Sequence, residues 1–253
     1  MKSKPVKKTS WLYRLVKWFV WLFYPKMEVI GLENLPEDEI VIVGNHTQMN
    51  GPIACELYFP GNRYTWCTGE MLDRKTVPEY AYKDFWSRKP KYIRPFYKVL
   101  SYIIAIPAAY LLSSANTIPV YRDKKIVTTL RKTLQQLESG AKIVIFPETD
   151  FERNNIINEF LDGFIDIAKL YYKRTGKELS FVPLYIAPKL KKMYLGKPIT
   201  FCSYAPLEAE RHRICEYLMN EITAMARSLP KHTVIPFKNI PKKYYPTNIS
   251  DDD

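Results

Sequence analysis

The sequence predicts a single α/β domain, a largely parallel sheet flanked by helices, with an N-terminal membrane-associating helical segment before it. Three observations predict it. Short apolar runs alternate with stretches in which apolar residues recur every three or four positions, the pattern of strands separated by helices. The chain has 253 residues and 47% of them are hydrophobic, ample for one buried core. Three of the five Trp lie in one short stretch near the N-terminus, among basic residues.

Residues 1–10 are polar and carry Lys2, Lys4, Lys7 and Lys8. Trp11 to Tyr24, WLYRLVKWFVWLFY, is apolar but interrupted by Arg14 and Lys17. A helix rises ~1.5 Å per residue, and the hydrocarbon core of a bilayer is ~30 Å thick. The segment is therefore too short to cross and fits an interfacial helix, with its aromatics among headgroups and its cations on anionic lipid. Residues 1–30 are read as the membrane-associating segment, 31–230 as the domain and the Pro- and Lys-rich 231–253 as an irregular tail.

Within the domain, Ile40–Val43 reads as a buried strand, and Asn50-Gly51-Pro52 as a helix start with Asn as cap. Tyr64–Cys67 and Thr117–Tyr121 are further strands. Between them Val99–Leu112 is uncharged, follows Lys89, Lys91, Arg94 and Lys98, and suits either a buried helix or a second dip into the membrane. Ile126, Leu130, Leu134 and Leu137 line one helical face that Gly140 ends. Lys142–Phe146 is the next strand. Ile157, Phe160, Phe164, Ile167 and Tyr171 mark a helix, Leu179–Ile186 a strand and Ile199–Cys202 another. Leu207, Ile214, Leu218, Ile222 and Met225 form the last helical stripe.

The net charge of +12 calls for an anionic partner. No zinc-finger spacing, RNA-recognition signature or basic zipper is present, so nucleic acid is disfavoured. Lys and Arg beside Trp-rich apolar segments favour an anionic membrane surface. Cys55, Cys67, Cys202 and Cys215 form no CxxC pair, so free thiols are expected and no metal site.

Among three His, His212 and His232 sit in polar surroundings and read as surface residues. His46 follows the strand IVIV in GNHTQMNGP, and the carboxyl ends of strands are where open α/β sheets place their sites. A His there can take a proton near neutral pH. TIPVYR ends a strand on Arg122, which can hold a phosphate by paired hydrogen bonds. KIVIFPE ends one on Glu148, where Pro147 stops the ladder. One base, one cation and one carboxylate thus gather at one sheet edge.

Asn45-His46 after a hydrophobic strand resembles the first block of the PlsC-like glycerophospholipid acyltransferases. YTWCTGEML, IPVYR, IVIFPE, Val182-Pro183 and Gly196-Lys197-Pro198-Ile199 resemble the family's later segments, in order, over residues 40–200. The resemblance implies that 31–230 is an acyltransferase domain. His46 would take the proton of an acceptor hydroxyl, and Arg122, Glu148, Asn45, Thr149, Asp150 and Arg153 would bind substrate. The co-substrates would be acyl-coenzyme A or acyl carrier protein and a lysophospholipid-like acceptor, with no cofactor, at the cytoplasmic face of a membrane.

Two departures stand out. The family's Asp, five residues after the His, is here Gly51, with Asn50 beside it as a replacement for orienting the imidazole. In the serine-protease triad the Asp-to-Asn change costs about 10⁴ in rate. After Glu148 come Thr149, Asp150 and Phe151 in place of Gly, Thr/Ser and Arg, with Arg153 two positions late. Glu56, Glu70, Glu148 and Asp150 are carboxylates that can stand in. The competing expectation is a non-catalytic lipid- or acyl-thioester-binding protein, separated from the enzyme by whether a carboxylate reaches His46.

Overall fold

The structure, a computed structural model, describes residues 10–87, 89–121 and 125–249. In chain order the elements are α1 (Trp11–Phe23), β1 (Glu28–Ile30), β2 (Ile40–Gly44), α2 (Asn50–Tyr58), β3 (Arg63–Thr68), α3 (Val77–Ala81), α4 (Arg94–Ser114), β4 (Thr117–Val120), α5 (Ile126–Leu137), β5 (Lys142–Ile145), β6 (Glu148–Glu152), β7 (Asn158–Phe160), α6 (Asp166–Thr175), β8 (Ser180–Ala187), β9 (Lys192–Leu195), β10 (Ile199–Thr200) and α7 (Leu207–Arg227). The fold class is α/β, with mostly parallel strands and flanking helices. The chain forms two compact units, Met1–Phe23 with Tyr64–Lys132, and Tyr24–Arg63 with Thr133–Asp253.

In the second unit the strands run β1-β9-β8-β2-β5, with β10 beside β8. The pairs β1–β9, β8–β2 and β2–β5 are parallel, while β9 and β10 run antiparallel to β8. β2 is IVIVG and buried at every position, as a central parallel strand covered on both faces must be. Alternation divides its side chains. Ile40 and Ile42 join Ala54, Cys55 and Phe59 on the α2 side, together with Val144, Val182 and Leu184. On β8, Phe181 instead meets Phe164 and Tyr185 meets His232.

Pro183 lies inside β8, where a missing N–H would ordinarily break a ladder. Its carbonyl accepts from Gly196 at 2.9 Å, so the absent N–H falls on the same side. That side is the gap where β9 has ended at Leu195 and β10 has not begun until Ile199. Gly196 leaves room for the ring, since a Cβ there would lie 2.8 Å from Pro183 Cγ.

In the first unit β3 and β4 pair in parallel, Thr65 opposite Thr117 through Thr68 opposite Val120. α4 packs on α3 through Ala105, Ala109 and Val77. The uncharged run Val99–Leu112 is thus part of a 21-residue helix.

Two expectations are corrected. Ile157 and Phe160 do not belong to a helix: β6 and β7 form an antiparallel hairpin, and α6 starts only at Asp166. The Asn154 side chain accepts from the N–H groups of Ile156 and Ile157 at 2.9 and 3.0 Å and makes the turn. His232 is buried rather than on the surface, with Nε2 2.8 Å from the Tyr185 hydroxyl and Nδ1 2.8 Å from the Pro230 carbonyl. The tail after Pro230 is irregular, yet it is anchored. Asn248 is buried, donates to the carbonyls of Ala226 and Leu229, and accepts from His232 N–H at 2.8 Å.

Candidate functional site

The β2–β8 ladder ends at Gly44 opposite Leu184. Asn45 extends it with its side chain: Oδ1 accepts from Ile186 N–H at 2.7 Å and Nδ2 donates to the Ile186 carbonyl at 3.1 Å. Both polar atoms of this buried carboxamide are thereby committed to β8, and the backbone is released to turn. Sequence reasoning gave Asn45 to the substrate; the structure gives it to the strand.

The turn itself is tight. Thr47 and Gln48 take φ of 45° and 55°, a left-handed conformation rare for residues with a Cβ. Gly51 N–H closes the loop on the His46 carbonyl at 3.0 Å. A Cβ at position 51 would meet that same carbonyl oxygen at 2.6 Å and the Asn45 oxygen at 3.0 Å. The loop therefore has no room for an Asp at this position, and the departure from the resembled block is built into the backbone.

His46 is held from below by Glu148. The His46 N–H donates to Glu148 Oε2 at 2.5 Å, and Asn158 N–H donates to Oε1 at 3.0 Å. Burial drives the Glu148 carboxyl up to about 7, against the pull of those two N–H groups. The imidazole lies edge-on to Phe146 and Phe237, with centroids 5.4 and 5.7 Å away. Burial also lowers the His46 pKa from its ordinary 6.5, with the Gln48 backbone opposing in part, which favours the uncharged ring. Nδ1 is buried and has no hydrogen-bond partner among the described residues.

The Asn50 carboxamide does not take the orienting role. It donates to the Thr47 carbonyl at 3.0 Å and accepts from the Tyr24 hydroxyl at 3.3 Å. Nor does it cap α2, whose cap position is Met49. Tyr24 is held in turn by the Tyr58 hydroxyl, which donates to its carbonyl at 3.2 Å. Glu56 pairs with Arg63 at 3.4 Å.

Thr149 belongs to the hairpin, its hydroxyl accepting from Phe151 N–H at 3.1 Å, and Asp150 is exposed. Arg153 grips Glu216 with both guanidinium nitrogens at 2.9 and 2.7 Å and approaches Glu159 at 3.4 Å, so its charge is neutralised within the protein. Arg122 lies outside the described residues. The structure thus brings together His46, Glu148 and the loop 47–51, and leaves Arg153 paired to Glu216 of α7.

The tail supplies what the sequence did not announce. Phe237 lies against the imidazole, and Gln48 Nε2 donates to the Lys238 carbonyl at 3.3 Å and the Tyr245 hydroxyl at 2.9 Å. An irregular Pro-rich segment carries no periodicity that would link it to position 46.

No family model matches the chain, and no curated protein matches it. Among solved structures it is similar to the 1-acyl-sn-glycerophosphate (LPA) acyltransferase PlsC from Thermotoga maritima, with 16% identity over 85% of this chain and 80% of that one, at a TM-score of 0.46.

Proposed function

We propose that the chain is an O-acyltransferase with His46 as general base. The imidazole takes the proton of a hydroxyl on a lysophospholipid-like acceptor, and that oxygen attacks the thioester carbon of acyl-coenzyme A or acyl carrier protein. A C–O bond forms, the C–S bond breaks, and the leaving thiolate recovers the proton from the imidazolium. The observation that supports this reading is an imidazole at the carboxyl end of β2, with its backbone N–H held by the buried Glu148 carboxylate. The reading includes peripheral attachment to a membrane at the cytoplasmic face. No helix among the described residues is long and apolar enough to cross a membrane, and α1 exposes Trp11, Trp18, Trp21 and Phe23.

One observation favours a second reading, a lipid- or acyl-thioester-binding protein without turnover. Among the described residues no carboxylate is hydrogen-bonded to the His46 Nδ1 that an imidazolium would offer. Thiol release from acyl-coenzyme A and from acyl carrier protein, across a panel of lysolipid acceptors, separates the two. Acceptor-dependent release supports the enzyme. Saturable binding of donor and acceptor with no release from either donor supports the binding protein.

A further inference from the structure

α4 buries one side and leaves an apolar stripe on the other. Ser101, Ala105 and Ala109 face inward, with Ala105 and Ala109 on Val77 of α3. The opposite face presents Phe96 (65% exposed), Val99 (63%) and Ile103 (65%), one above the other at helical spacing, with Tyr102 beside them and Tyr92 just before the helix. A solvent-facing helix surface is ordinarily polar, so this stripe is made to be covered.

The charge distribution indicates by what. The unit that holds α4, Met1–Phe23 with Tyr64–Lys132, carries 19 Lys and Arg against 5 Asp and Glu. The other unit carries 19 against 21. The whole positive balance of the protein therefore lies with the exposed apolar helix. Lys89, Lys91 and Lys98 lie beside or on the start of α4 and are exposed. Clustered cations around an aromatic and aliphatic stripe match the interface of a bilayer bearing anionic lipid.

We propose that the outward face of α4 docks on an anionic lipid surface, lying in its plane, as a second attachment distinct from α1. This deepens the membrane part of the function proposed above, and it is tested without any acyl donor, so either can fail alone. The full chain is mixed with phosphatidylcholine vesicles with and without phosphatidylserine, and binding is read by co-sedimentation across a salt series. The variant F96S/I103S keeps every charge, and its fold is checked by circular dichroism and thermal midpoint. The wild type is expected to prefer the anionic vesicles and to weaken with salt. The folded variant is expected to bind about 10-fold or more weakly, from the loss of two buried apolar side chains. V99S, a milder change on the same stripe, is expected to fall in between. Unchanged vesicle binding by a folded variant overturns the proposal. So does a wild-type dimer that the variant converts to monomer without loss of vesicle binding, which would make a second copy of the chain the cover.

Discussion

At the scale of single residues, the site turns on three positions. Gly51 is the plainest. Placing an acid there, Gly51→Asp, is expected to lower stability by about 1–3 kcal/mol through the clash with the His46 carbonyl, and not to raise the rate. Urea denaturation alongside thiol release checks both. Glu148 has a pH signature. Its folded pKa is raised from 4.5 to about 7, so the folded state binds this proton more tightly than the unfolded chain. The stabilisation is fully present below pH 4.5 and is lost as the pH rises through 7, a change on the order of 3 kcal/mol. His46, with a lowered pKa, acts in the opposite sense: its contribution is present above pH 6.5 and lost as the pH falls. The difference in unfolding free energy between wild type and Glu148→Gln, taken across that range, isolates the carboxyl. An equal pH slope in both would contradict its assignment. His46 and Glu148 were legible because each ends an apolar strand. The emptiness of position 51 was not, because it depends on two left-handed residues, Thr47 and Gln48, that have no sequence mark.

At the scale of elements, most of the framework could be read from periodicity: β2, α4, β8 and α7 fall where the apolar patterns put them. The failures have a common cause. Ile157, Phe160 and Phe164 recur at helical intervals, but Asn154 makes a local turn that folds the first two into a hairpin. His232 lies among polar neighbours in sequence, yet its partners are Tyr185 and Asn248. Nothing local encodes a long-range hydrogen bond. The tail is accordingly a working part of the second unit. Asn248→Ala, which removes a buried carboxamide holding Ala226, Leu229 and His232, is expected to cost about 2–3 kcal/mol in denaturant. Phe237→Ala, at an intermediate position against the imidazole, is expected to perturb acyl transfer more than stability. Measuring both properties on each variant distinguishes anchor from site.

At the scale of the whole molecule, the two compact units divide the physical tasks. One holds the positive balance and the exposed apolar helices α1 and α4. The other holds the near-neutral sheet, His46, Glu148 and the anchored tail. The net charge of +12 was visible at once, but its concentration in one unit was not, since that unit is assembled from two separate stretches of chain. The central claim is that the half-buried imidazole of His46 is the base for acyl transfer. It is tested most directly by acceptor-dependent thiol release from acyl-coenzyme A in wild type and His46→Ala, both shown to be folded. The predicted result is a fall of about 10²–10⁴ in the variant, the span of general-base catalysis. A variant that retains the wild-type rate within a few-fold would contradict it.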